Sequence, residues 1–220
     1  MSDHMLVDIA AKGQAIPIKA GFAAETLHAE IFDLDAILRE SELRAFTDTH
    51  AHSPLARNDP SVDIVVMRGD QKVLGAQSKY FKTADAAEAA FRERRDGMHH
   101  YKDADAFICP ADQLWGIKDK ARRVELKNQQ TRPSVAEDAR YVRSRAIDRL
   151  DADGVHSRPV TKKDAEVIAR GDGRGKGAPR RIQDDYIKAT LKKSTPLAGE
   201  SLNADETTDP CDGGRSRRRI

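Results

Sequence analysis

The stretch Ser61–Phe81, SVDIVVMRGDQKVLGAQSKYF, decides the expected fold of this chain. Residues 61–68 are β-branched and apolar, and residues 72–81 resume the same character after the turn dipeptide Gly69-Asp70. Two strand-like runs around such a dipeptide predict a β-hairpin. The other elements can be placed outward from this hairpin.

Helical and strand-like segments flank the hairpin. Residues 21–45 are predicted to form a helix, because apolar residues recur there at helical spacing, and residues 47–60 are predicted to form a loop. After the hairpin, Thr83 is expected to cap a helix that runs to about Arg95, and residues 104–109 are expected to form a short strand. This order predicts an α/β (α+β) fold with a small mixed sheet flanked by helices.

The second half of the chain has a different character. Polar helices are predicted over residues 112–130, 134–150, 161–170 and 184–193. The last residues are rich in Ser, Thr, Asp and Gly, and we expect them to be disordered. The predicted organisation is an α/β core over residues 1–112, a basic helical region over residues 113–195 and a disordered tail over residues 196–220.

The register of the hairpin decides which of its polar side chains meet. With a three-residue loop Asp63 lies opposite Gln77, whereas with a two-residue loop Asp63 faces Ala76. Gln77 and Lys79 share one face of their strand, because they are two residues apart. A polar patch shared with Asp63 would explain why these two residues interrupt an otherwise apolar strand.

These side chains suit a metal site. The carboxylate of Asp63 and the amide oxygen of Gln77 can bind Mg²⁺, which prefers oxygen ligands. The ion would lower the pKa of a bound water and stabilise charge that develops on a phosphate. Lys79 could position that water or help to deprotonate it, and Glu25 or Glu30 of the first helix could supply a second carboxylate.

The pattern Asp63…Gln77-Ser78-Lys79 resembles the core motif of the PD-(D/E)xK, or restriction-endonuclease-like, nuclease superfamily. Glutamine in place of the motif's acid is similar to the Mrr-type restriction endonucleases, and the order of elements over residues 20–112 resembles the superfamily's core. The resemblance implies that Glu25, Asp63 and Gln77 bind Mg²⁺ or Mn²⁺, and that Lys79 is the catalytic lysine. Three features depart from the pattern: Val62 stands where the motif has proline, Gln77 takes the place of the acid, and no first strand is evident before the hairpin.

Basic residues concentrate in the second half of the chain. Residues 115–195 carry 21 basic and 12 acidic side chains, although the net charge of the whole chain is only +2. Such clusters bind nucleic acid through its phosphates, unless acid–base pairs such as Glu137 with Arg140 make them an ordinary solvated helix surface. Few aromatic residues interleave with them, so no single-strand stacking platform is predicted. The candidate contacts are Lys120, Arg122, Arg123, Arg140, Arg143, Arg174, Lys176, Arg180 and Arg181.

Composition excludes several classes of protein. No apolar stretch approaches the length of a membrane helix, the first residues lack a signal-peptide pattern, and two cysteines cannot form a disulfide scaffold. The predicted location is therefore the cytoplasm, with no membrane partner.

The favoured function is Mg²⁺-dependent hydrolysis of DNA phosphodiester bonds by an endonuclease, in a defence, mobile-element or toxin setting. One alternative is a non-catalytic module of the same fold that binds nucleic acid or protein. Another is an effector or assembly protein whose basic helices bind a protein partner. A homodimer is left open.

Overall fold

The computed structural model describes residues 13–50, 52–55, 62–171 and 178–194. For residues 178–180, 183, 193 and 194 it describes the backbone alone. The predicted disordered tail, residues 196–220, lies outside the described residues. None of the helices in the described part of the chain is both long and apolar enough to cross a membrane.

The described residues form six helices and nine strands. In chain order they are α1 (Ile16–Leu38), β1 (Leu43–Thr47), β2 (Ile64–Arg68), β3 (Gln71–Ser78), α2 (Ala84–Phe91), β4 (Arg94–Arg95), β5 (Met98–His99), β6 (Ala106–Ile108), α3 (Leu114–Asn128), α4 (Pro133–Arg145), β7 (Ala146–Ile147), β8 (Asp151–Ala152), β9 (Val155–His156), α5 (Lys162–Arg170) and α6 (Ala178–Ser194).

A five-stranded mixed sheet in the order β1-β2-β3-β6-β7 forms the centre of the fold. Strands β1, β2 and β3 are antiparallel neighbours, whereas β6 runs parallel to β3 and β7 runs parallel to β6. The pairs β4-β5 and β8-β9 form two small antiparallel ribbons outside this sheet. The prediction of a mixed α/β fold with a small mixed sheet and flanking helices is confirmed.

The first helix is shorter than predicted, and a strand follows it. Helix α1 ends at Leu38, and Glu40 adopts a left-handed conformation with φ of 54°. The Ser41 amide then donates to the Ala36 carbonyl at 2.8 Å, which closes the helix end. Residues 43–47 form β1, so the predictions of a helix to residue 45 and of no strand before the hairpin are wrong. Glycine usually occupies the left-handed position, and its absence removed the sequence signal for the helix end.

The remaining helices agree with the sequence pattern except at their ends. The hydroxyls of Thr83 and Thr161 accept from the Ala86 and Asp164 amides at 3.2 and 3.1 Å, which confirms both predicted N-caps. Helix α2 ends at residue 91 rather than 95, and α4 ends at residue 145 rather than 150. Residues 146–147 join the sheet as β7, a segment too short to show a strand period.

The sheet separates two apolar layers. One layer packs α1, α5 and α6 against Ala106 and Ile108 of β6, and the other packs α2, α3 and α4 against Phe107. Phe107 is fully buried and stacks on Phe91 of α2 with ring centroids 4.6 Å apart. Alternate residues of one short strand thus anchor both layers.

Residues on both sides of position 112 share this architecture. Strand β7 pairs with β6, and α5 packs on α1. The Ala111 amide also donates to the Val160 carbonyl at 2.9 Å. The sheet and the layer on α1 therefore extend across the boundary predicted between the core and the basic helical region.

Candidate active site

The loop of the central hairpin has two residues. Its residues are Gly69-Asp70, because Arg68 pairs with Gln71 across the turn. Gly69 has a φ of 55°, in the left-handed region that glycine favours. A regular ladder after this loop would place Asp63 opposite Ala76 and turn its side chain away from the polar face of β3.

A β-bulge restores the other register. The ladder shifts by one residue between Val66 and Met67, which leaves Val73 as the extra residue on β3. The ladder ends with Ile64 opposite Ala76, and Asp63, directly before it, donates its backbone amide to the Ala76 carbonyl at 2.9 Å. The Asp63 side chain nevertheless reaches Gln77, the contact that the sequence associated with the longer loop.

Asp63 and Gln77 are in direct contact. The Gln77 side-chain amide donates to Asp63 Oδ2, and the Ser78 backbone amide donates to the same oxygen at 2.8 Å. Gln77 is only 1% exposed, and its Oε1 is buried without a hydrogen-bond partner, as is Ser78 Oγ. A buried oxygen that lacks a donor is costly, because its lost hydration is not replaced.

A cleft of about 520 Å³ brings together three of the predicted site residues. Glu25 comes from α1, Asp63 immediately precedes β2, and Lys79 immediately follows β3. Glu25 rather than Glu30 lines the cleft. Gln77 is not among the lining residues, and it meets the site through Asp63.

Tyr101 is a neighbour of the site that the sequence did not indicate. The Lys79 ammonium lies over the Tyr101 ring, 5.0 Å from its centroid, a geometry in which a cation is attracted to the ring. Burial raises the pKa of Tyr101, and the charges of Glu93 and Asp63 raise it further. The phenol is therefore neutral at neutral pH. It follows the short strand β5, and only long-range folding brings it to Lys79.

A buried hydrogen-bond chain supports the wall behind Lys79. The Ser157 hydroxyl lies 2.9 Å from His28 Nδ1, and His28 Nε2 lies 3.0 Å from the hydroxyl of Tyr80, the residue after Lys79. Tyr80 donates to the Val160 carbonyl at 3.3 Å, so we assign the remaining protons as Ser157 to Nδ1 and Nε2 to Tyr80. Burial lowers the pKa of His28 to about 3, which keeps the ring neutral. The chain fixes α1 against the end of β3.

The predicted basic row on α4 is engaged with the neighbouring helix. Arg140 and Arg143 both contact Glu125 of α3, at 2.9 and 3.1 Å. The hydrogen bond from Arg140 is the main cause of a lowered pKa of Glu125. This acid–base cluster joins α3 to α4, so part of the charge of the row is neutralised within the protein.

The other predicted nucleic-acid contacts are dispersed. Lys120 pairs with Asp85 at 2.9 Å and Arg123 with Asp119 at 3.0 Å. Arg122 on α3 and Arg181 on α6 are exposed. Arg174, Lys176 and the side chain of Arg180 lie outside the described residues.

Two carboxylates, those of Glu25 and Asp63, line the cleft with Lys79. Among the residues that the structure describes, no group of three or more His, Cys, Asp or Glu side chains is placed to hold a metal ion. A site here would rest on the Glu25 and Asp63 carboxylates, which are oxygen ligands of the kind that Mg²⁺ prefers, whereas Gln77, the third predicted ligand, does not line the cleft. In comparisons with protein-family models, curated proteins and solved structures, the chain matches none at a significant level.

Proposed function

We propose that this protein is a Mg²⁺-dependent endonuclease that hydrolyses DNA phosphodiester bonds. One observation carries the proposal: Glu25, Asp63 and Lys79, which come from three different parts of the chain, line the same cleft. Two carboxylates beside a lysine are suited to metal-assisted attack on a phosphodiester. A cytoplasmic location, a homodimer and a defence, mobile-element or toxin setting remain predictions from the sequence.

The order of elements supports the proposal. Strand β1 lies between the first helix and the hairpin. The restriction-endonuclease-like superfamily has a strand at this place, and the sequence pattern alone did not reveal one here. Apart from the small ribbon β4-β5, the order from α1 to β6 is therefore a helix, three antiparallel strands, a second helix and a strand parallel to β3. Residues of the motif lie at adjacent ends of β2 and β3, as a shared site requires.

The donor set also fits a hard divalent cation. Glu25 and Asp63 line the cleft and supply carboxylates, and the Gln77 side-chain amide holds the Asp63 carboxylate by donating to its Oδ2. When bound, the ion supplies an activated water and stabilises charge on the phosphate. Lys79 holds an ammonium beside the two acids, where it can orient a phosphate oxygen or exchange a proton with water.

One observation favours the non-catalytic alternative. Asp63 Oδ2 already accepts from Gln77 and Ser78, so the carboxylate also has a structural role at the end of the hairpin. A protein that kept this fold for binding alone could keep Asp63 for that reason. In that case it would bind DNA with a steep dependence on salt and would leave it uncut.

Cleavage of supercoiled plasmid by the full chain tests the proposal. The wild type is incubated with Mg²⁺, Mn²⁺ or EDTA, beside Lys79→Ala, Asp63→Asn and the control Lys127→Ala on an exposed end of α3. We expect metal-dependent cleavage that falls by about 100-fold or more in the two site variants and is unchanged in the control. Circular dichroism checks that each variant is folded. Absence of cleavage with every ion, or full activity of Lys79→Ala, would overturn the proposal.

A further inference from the structure

The cleft has a second, apolar wall that metal-assisted hydrolysis does not use. Pro17, Ile18 and Phe22 of α1 line the cleft together with Phe81. Ile18 and Phe81 are 53% and 40% exposed, which is high for large apolar side chains. A phosphodiester group is polar throughout, so this wall is suited to contact the base or sugar beside the phosphate.

An exposed tryptophan lies in the helix that contacts the segment after Phe81. Trp115, the only tryptophan of the chain, is the second residue of α3 and is 80% exposed. The residues around it are held against the segment that leaves the cleft. Gln113 donates to the Phe81 carbonyl at 3.2 Å, and a Cβ on Gly116 would lie 2.9 Å from that of Ala84. The fold therefore presents Trp115 and Phe81 on neighbouring parts of the surface.

Lysines accompany the two aromatic side chains. Lys79 and Lys82 line the cleft on either side of Phe81. The Lys162 ammonium of α5 donates to the Phe81 carbonyl at 3.0 Å and lies 3.6 Å from Glu166 Oε1, so it anchors the backbone of Phe81 and its charge is partly neutralised within the protein. Aromatic faces interleaved with cations are the usual platform for unpaired nucleotides, because bases stack on the rings while phosphates meet the cations.

We infer that the substrate of the cleft is single-stranded DNA, whose bases stack on Phe81 and Trp115 while one unstacked nucleotide enters the cleft. The inference rests on the proposed function for the identity of the site. Cavities of about 300–1,000 Å³ hold one small organic ligand, so this cleft of about 520 Å³ has room for one nucleotide. In a duplex the faces of the bases are covered by their neighbours and cannot contact the apolar wall.

The sequence did not predict this platform because its parts are far apart in the chain. Phe81 ends the second strand-like run, and Trp115 starts a helix beyond β6. Only the contacts of Gln113 and Gly116 with residues 81–84 bring the start of α3 to the segment that holds Phe81.

Binding in EDTA tests the inference without requiring cleavage. The full chain is titrated with a fluorescein-labelled single strand of thymidines and with a duplex of the same length. Binding is followed by anisotropy, and separate titrations with the unlabelled DNA follow Trp115 fluorescence. We expect the single strand to quench Trp115 and to bind at least tenfold more tightly than the duplex. Phe81→Ala and Trp115→Ala should each weaken binding of the single strand by about fivefold or more. The control Leu126→Ala removes an exposed apolar side chain, 57% exposed, from the same helix and should have no effect.

Equal affinity for duplex and single strand, absence of quenching, or variants that behave like Leu126→Ala would overturn the inference. These outcomes are separate from failure of the proposed function. Single-strand binding with quenching but no cleavage under any divalent ion would remove the nuclease and leave the binding platform. Lys79-dependent cleavage of duplex DNA without quenching of Trp115 would support the nuclease and remove the binding platform.

Discussion

Acidification tests the buried hydrogen-bond chain behind the candidate site. His28 is fully buried, both of its ring nitrogens have partners, and burial lowers the pKa of the ring to about 3. In the unfolded chain the same ring has a pKa near 6.5. Between these values the unfolded state binds a proton that the folded state does not, so the free energy of unfolding falls as the pH is lowered.

The size of the effect follows from the two pKa values. Each pH unit between them costs about 1.4 kcal/mol, so lowering the pH from 7 to 5 should remove about 2 kcal/mol of stability through His28 alone. Asp33 acts in the opposite direction, because burial raises its pKa to about 6. Between pH 7 and 5 the Asp33 carboxyl binds a proton more readily in the folded state than in the unfolded state, so acidification stabilises the fold through Asp33. The stability of the wild type alone would therefore show only part of the loss caused by His28.

Comparison with His28→Gln isolates the histidine, because both proteins contain Asp33. Urea unfolding should be followed by far-ultraviolet circular dichroism, since the only tryptophan is already 80% exposed in the folded state. We expect the wild type to be the more stable protein at pH 7, and its advantage to shrink by about 2 kcal/mol at pH 5. Parallel stability profiles from pH 7 to 5 would refute the assignment of a neutral, buried His28.

Three further changes test the packing around the sheet. Phe107→Ala should lower the free energy of unfolding by about 3–5 kcal/mol in urea titrations, because the ring is fully buried against Phe91, and a loss below 1 kcal/mol would contradict that packing. Thr161→Ala should cost about 1 kcal/mol through loss of the α5 cap, whereas Thr161→Ser should retain most of that stability; equal losses would show that the hydroxyl is not responsible. Glu125→Gln should cost about 1 kcal/mol at low salt, because it removes the charge that holds Arg140 and Arg143. This difference from the wild type should shrink in 1 M NaCl, and a difference independent of salt would argue against an electrostatic link between α3 and α4.

The sequence predicted elements best where a local signal marks them. The hairpin has its glycine turn, and both threonine caps lie directly before the helices they cap. The strand β1 lacked such a signal, because a glutamate rather than a glycine takes the left-handed position after α1. Strand β7 has two residues and is held by pairing with β6, so no periodicity could reveal it.

The candidate site was predictable only in part for a similar reason. The residue types and the shared strand face pointed to Asp63, Gln77 and Lys79, but their alignment depends on a bulge that no sequence period shows. The contact between Lys79 and Tyr101 joins segments on different elements. Ion pairs between α3 and α4 likewise replaced the pairs expected within one helix, because helix packing decides which acid each arginine reaches.

The bulge at Val73 makes the site tolerant of variation at the hairpin tip. A three-residue loop without a bulge and a two-residue loop with one use the same number of residues, and both are compatible with the contact between Asp63 and Gln77. Sequence changes near Gly69 can therefore move the irregular residue between strand and loop while the carboxylate stays in place. Homologues of this chain could differ in turn type and still conserve the geometry of the cleft.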